Sequence, residues 1–153
     1  MKQKLTKKKL IVAAKEFCQI EESLDYPFLF GKNDGKTVGT FIEHKFQSFL
    51  DEKFDYERGS SARGIDLPGK NINTDIKVTS YRQPQSSSPF RSANQKIYGL
   101  GYNLLLFVYK KEDIPERKTA ELDFIDCSFI EKERTADYTM TKIILEMIES
   151  GAN

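Results

Sequence analysis

Apolar residues recur at helical spacing in the first third of the chain and at shorter, strand-like spacing further on. After Thr6, whose hydroxyl can cap a helix, Leu10, Ala14, Phe17 and Leu24 fall on one face, and Tyr26-Pro27 marks the stop. This pattern predicts a docking helix. The turn-rich Gly31-Lys32-Asn33-Asp34-Gly35 and then Thr40 lead into a second amphipathic stretch. Its stripe is Ile42, Phe46, Phe49 and Leu50, and Glu43 lies at the edge of that stripe.

From Asp55 the period shortens. Gly64 to Leu67 and Thr74 to Thr79 read as strands, the second with Ile76 and Val78 alternating against Asp75, Lys77 and Thr79. The turn signal Pro68-Gly69-Lys70-Asn71 between them predicts a hairpin. A polar loop from Arg82 to Ser88 follows, and Ser88-Pro89 opens a helix expected to end near Gly99 or Gly101. Leu104 to Tyr109 suits a strand buried on both faces. Leu122 to Phe129 predicts another strand, with Leu122, Phe124 and Asp126 on one face and Asp123, Ile125 and Cys127 on the other. Met140, Ile143, Ile144, Met147 and Ile148 form the stripe of a closing helix.

The element order predicts an α/β (α+β) fold with a central mixed β-sheet flanked by helices. A chain of 153 residues, 39% hydrophobic and 31% charged, with 11 Phe and 7 Tyr, is too aromatic for disorder and too charged for a membrane protein. We expect residues 1–153 to form one domain: an N-terminal helical segment over 1–30, a core over 38–110, and a strand plus helix over 120–150. The run Leu104 to Tyr109 is about a third of the roughly 20 apolar residues needed to cross a bilayer, and the N-terminus lacks a secretory signal. The expectation is a cytoplasmic protein without a membrane anchor.

Charge and cysteine usage narrow the chemistry. The formal charge of +1 carries no global signal for nucleic acid, but every charge before Glu16 is a lysine. Those lysines suit a solvated terminal helix at least as well as a phosphate-binding arm. Cys18 and Cys127 lie far apart without CxxC spacing, and His44 is the only histidine, so a zinc site is not expected and both thiols read as buried. A single histidine also argues against Ser-His or Cys-His nucleophilic chemistry.

One constellation stands out. Residues 75 and 77 of a strand point to the same face, which holds a carboxylate beside an ammonium. A hairpin return brings Asp66 next to Asp75, and Glu43 on the preceding helix can reach the same spot. Carboxylates gathered at one point repel each other unless a cation sits between them, and oxygen ligands favour Mg²⁺, which keeps waters and accepts phosphate oxygens. Beside them, the Lys77 charge can stabilise and position an attacking water. That is the chemistry of phosphodiester hydrolysis. For an isolated DxK, an exposed hairpin with solvated charges is the simpler account. Here Ile65, Leu67, Ile76 and Val78 flank the charges and imply burial.

Glu43, Asp66 and Asp75-Ile76-Lys77, in that order along the elements, resemble the PD-(D/E)XK nucleases over residues 38 to 110. One departure is that Ile65 precedes Asp66, where the motif carries proline; Pro68 follows instead. Together with Gly59 to Asp66, Asp75 to Ser80 and Arg82 to Arg91, the pattern is similar to type II restriction endonucleases. The resemblance implies Mg²⁺-dependent cleavage of double-stranded DNA, with Asp66 and Asp75 as metal ligands, Lys77 at the attacking water and Glu43 as an auxiliary metal or water ligand. It further implies a homodimer, since cutting both strands needs two sites, and a cognate methyltransferase, which no residue shows.

The loop after the DxK strand carries side chains able to reach bases or phosphates: Arg82, Gln83, Gln85, Ser86, Arg91, Asn94 and Gln95. A polar linker is the competing account. Three functions follow, namely a sequence-specific restriction endonuclease, a repair or recombination nuclease that reads DNA shape, and an inactive nuclease-fold binding module. Joint retention of Glu43, Asp66, Asp75 and Lys77 argues against the last. The chain is small for a restriction enzyme, so it is expected either to be the catalytic domain of a longer protein or to read DNA with loops such as 81 to 91.

Overall fold

Thr6 does cap the first helix: the Lys9 N–H donates to Thr6 Oγ1 at 3.2 Å, and α1 runs over Lys7–Glu21 in a computed structural model that describes residues 2–59, 65–82 and 101–134. Leu10, Ala14 and Phe17 are buried as the spacing predicts. Leu24 does not join them, because α1 ends at Glu21; it is 38% exposed. Tyr26-Pro27 starts a short 3-10 turn, Pro27–Leu29, rather than ending the helix itself.

The second helix, α2, spans Gly35–Lys53 and so begins earlier than Thr40. The reason is a cap. Asp34 Oδ2 accepts from the Thr37 N–H at 2.9 Å and from the Thr37 hydroxyl at 2.6 Å, bonds that hold the Asp34 carboxyl below its usual range. Val38, Ile42, Phe46 and Leu50 form the buried stripe, with Phe49 half-buried beside it.

A three-stranded sheet is built from β3 (Thr74–Ser80), β4 (Asn103–Ile114) and β5 (Thr119–Ile130), in that spatial order. β3 and β4 are parallel and β4 and β5 antiparallel, so the sheet is mixed as expected. Two two-residue strands, β1 (Gln3–Lys4) and β2 (Phe54–Asp55), pair in parallel and tie the N-terminus to the end of α2, a pairing the sequence did not announce. The expected helix from Ser88-Pro89 and the closing helix from Met140 to Ile148 lie outside the described residues.

Leu104 to Tyr109 is buried on both faces. On one of them Leu105, Phe107 and Tyr109 join α1 and α2 in the core. There Phe107 meets Phe46 at 5.1 Å and both Phe17 and Phe124 at 6.0 Å between ring centroids, edge-on contacts worth about 0.5–1.5 kcal/mol each beyond area burial.

β5 departs from simple alternation. Its register slips opposite Val108/Tyr109, where Asp126 pairs with Val108 but Phe124 with Tyr109, leaving Ile125 as an extra residue. The bulge flips the parity. Cys127 and Phe129, not Asp126, therefore share the core side with Leu122 and Phe124. Cys18 is buried as expected, whereas Cys127 is only partly so.

One charged group closes the core at the end of α1. Glu21 is 5% exposed and accepts from Lys45 Nζ at 2.8 Å and from the Tyr26 hydroxyl, while Lys45 lies 4.4 Å from the Tyr26 ring centroid.

Candidate active site

β3 is an edge of the described sheet, so its outward N–H groups need partners from elsewhere. Thr74 finds one in Leu67, each N–H donating to the other's carbonyl at 2.9 Å. The predicted hairpin is therefore present as a single antiparallel bridge, with Gly64 outside the described residues. The turn between is closed by the Ile72 and Asn73 N–H groups donating to the Gly69 carbonyl at 2.9 and 2.7 Å. Asn73 sits at φ 42, the left-handed region that asparagine tolerates better than most residues.

Asp66 takes over where the backbone pairing stops. Its Oδ2 accepts from the Ile76 N–H at 2.9 Å, and its own N–H donates to Asp75 Oδ1 at 3.1 Å. This reciprocal pair fixes both carboxylates by the backbone of the other's segment. The pleat turns Ile76 and Val78 into the core and leaves Asp75 and Lys77 half-buried on the other side.

Gly59 secures the same spot from behind. Its N–H donates to the Asp66 carbonyl at 2.8 Å. A side chain there would overlap the Ile65 carbonyl oxygen and come within 2.8 Å of its carbon, so only glycine fits without moving Asp66.

Glu43, Asp66, Asp75 and Lys77 line one cleft of about 480 Å³ between α2 and the edge of β3. Burial and the neighbouring Asp66 and Asp75 charges raise the Glu43 carboxyl from its ordinary range to about 8, with Lys77 opposing. Asp75 is pushed up to about 7, by burial first and then by its hydrogen bond and charge contact with Asp66. Glu43 and Asp75 thus keep their protons to higher pH than isolated carboxyls do. Among the described residues no three His, Cys, Asp or Glu side chains form a ready-made metal cage.

Other residues singled out in the sequence fall elsewhere. Arg82 is exposed and lines a separate pocket of about 300 Å³ with Asn33, Val38, Ser80, Tyr109 and Lys111, not the carboxylate cleft. His44 is exposed on α2. Gln83, Gln85, Ser86, Arg91, Asn94 and Gln95 lie outside the described residues. Conversely, Lys36 and Thr40 also line the carboxylate cleft, and the sequence reading passed over them. Their signal was the cap Asp34-x-x-Thr37, which starts α2 early enough to put positions 36, 40 and 43 on one face. Among the described residues no helix is long and apolar enough to cross a membrane.

The comparisons with known proteins agree on one family. A family model described as type II restriction enzyme NspV matches residues 4–153. A curated protein described as the type II restriction enzyme NspV, from Nostoc sp., is 47% identical over 149 residues, which cover 97% of this chain and 67% of that protein. No solved structure matches the chain.

Proposed function

Since the chain belongs to the NspV family of type II restriction enzymes, we propose that it is a Mg²⁺-dependent, sequence-specific endonuclease of double-stranded DNA, built on the PD-(D/E)XK plan. The observation that carries this reading is the meeting of Glu43, Asp66, Asp75 and Lys77 in one cleft. Four groups spread over residues 43 to 77 converge there with the charge pattern that phosphodiester hydrolysis needs.

The donor set fits Mg²⁺. That ion is held by one or two carboxylates, with waters and phosphate oxygens completing its shell, so a three-carboxylate cage is not required. Asp66 and Asp75, each steadied at one oxygen by a backbone N–H, would hold the ion through their remaining oxygens. When bound, Mg²⁺ offsets charge on the phosphoryl oxygens and acidifies the attacking water. The Lys77 ammonium holds that water in line with the phosphorus and stabilises negative charge as its proton leaves. Glu43 serves as an auxiliary ligand to the metal or the water. One P–O bond forms with the water oxygen and the opposite ester P–O bond breaks, the water's proton passing to solvent in the open cleft and the leaving oxygen taking a proton from solvent in turn. Cutting both strands calls for two such sites, which a homodimer supplies, and Arg82 with the segment after it contributes to reading the site.

Incubation of the purified protein with plasmid and phage DNA, in Mg²⁺ or EDTA, tests the reading. Discrete Mg²⁺-dependent fragments from the wild type and none from Asp75→Ala are expected. A smear would indicate a nuclease without sequence preference, and no cutting in Mg²⁺ would overturn the reading.

A further inference from the structure

Lys36 and Thr40 line the same cleft as Glu43. Positions 36, 40 and 43 share a helix face that borders the buried stripe of Val38, Ile42, Phe46 and Leu50, with Glu43 at its edge. Seven residues at about 1.5 Å each place Lys36 about 10 Å from Glu43 along the axis of α2. Both Lys36 and Thr40 are exposed, and none of the ion pairs among the described residues involves Lys36.

Charge in the cleft gives Lys36 a task. Glu43, Asp66 and Asp75 gather around Lys77, so a polyanion entering the cleft finds its second ammonium, Lys36, clear of that cluster's own charge pairing. A DNA strand does not present one phosphate. Its next charges enter the same cleft at spacings of a few Å, and a cation two helical turns from Glu43 is placed for one of them. Resting on the endonuclease reading above, we propose that Lys36, assisted by the Thr40 hydroxyl, binds a DNA phosphodiester flanking the scissile one. Lys36 is a binding residue here, distinct from Lys77 at the attacking water.

The test compares wild type, Lys36→Gln and Lys36→Arg on a labelled duplex carrying a site that the wild type cuts. Affinity is measured in EDTA over a salt series, and KM and kcat are measured in Mg²⁺. Loss of one phosphate contact lowers the slope of log K against log salt by about 0.9, so the wild-type advantage over Lys36→Gln should shrink about threefold between 50 and 200 mM salt. KM should rise with kcat held within about twofold, and Lys36→Arg should restore the salt slope and KM. An unchanged salt slope with unchanged KM, or a fall in kcat alone, would overturn the proposal. Failure of the wild type itself to bind or cut DNA would instead count against the endonuclease reading. Lys36 is exposed, so loss of folding does not confound the comparison.

Discussion

Lys45 and Glu43 lie two residues apart on α2, about 200° around the helix, and each anchors a group of partly buried charge. The two groups are balanced in opposite ways. Around Lys45, one carboxylate meets one ammonium and one hydroxyl, and Glu21 is satisfied inside the fold. Around Glu43, three carboxylates outnumber the cleft's two ammonium groups, Lys77 and the exposed Lys36, and two of the carboxyls are pushed up towards neutrality. A closed cluster of this kind is costly to break, since removing one partner leaves the others buried and unpaired. An unbalanced cluster costs stability and is completed only from outside, which is how a binding or catalytic site differs from a structural one.

Substitutions should separate the two clusters. The largest effect is expected at the unbalanced one: Asp75→Ala or Lys77→Ala lowers cleavage by about 10²- to 10⁴-fold, the range for a lost catalytic group, with DNA binding largely retained. Single-turnover cleavage set beside a binding titration checks this, and parallel loss of binding would reassign both residues to holding DNA. Gly59→Ala should act on the same cluster indirectly. A shift of about 1 Å in Asp66 is expected to lower kcat about 10²-fold while the protein stays folded.

The balanced cluster should show the reverse pattern. Glu21→Ala removes the partner of Lys45 and Tyr26, and we expect about 2–3 kcal/mol of lost stability, reduced from the full cost of breaking a buried pair because Lys45 is 36% exposed. Urea unfolding measures this, and kcat of the folded enzyme should not change.

The smallest expected effect is on pH dependence. Glu43 and Asp75 are acids whose carboxyls stand at about 8 and about 7 in the native state against ordinary values of 4.5 and 3.8. The native protein therefore binds more protons than the unfolded chain between about pH 4 and pH 8, and stability falls as pH rises through that window. Because the cleft is open to solvent, we expect the fall to be of the order of 1 kcal/mol. Melting temperatures of metal-free protein at pH 5 and pH 8 should show it, Glu43→Gln should flatten it, and Mg²⁺ should suppress it. A melting temperature that rises with pH would contradict the charge imbalance.

Much of this could be read along the chain because it depends on local order. Thr6 as a cap, the stripe from Ile42 to Leu50, the two-sided burial of Leu104 to Tyr109 and the shared face of Asp75 and Lys77 all follow from backbone periodicity, which any segment of that sequence carries with it. Even the approach of Asp66 to Asp75 was legible, since a turn at Pro68 to Asn71 leaves the chain little choice but to double back. Local signals failed where two of them competed. Asp34 won the start of α2 over Thr40 because its carboxylate captures both donors of Thr37. Leu24 lost its place in the core because α1 stops at Glu21, where burial of that carboxylate with Lys45 and Tyr26 ends the stripe.

The sequence by itself determined which residues are chemically able to act, and in what order the elements bring them. Tertiary structure alone decided what surrounds them. The bulge that turns Cys127 rather than Asp126 to the core, the glycine wedged behind Asp66, and the cleft that admits Lys36 and Thr40 but sends Arg82 to another pocket depend on contacts between segments distant along the chain. Periodicity is a property of one segment. Packing, exclusion and charge balance belong to several segments at once, and they exist only after the chain has folded.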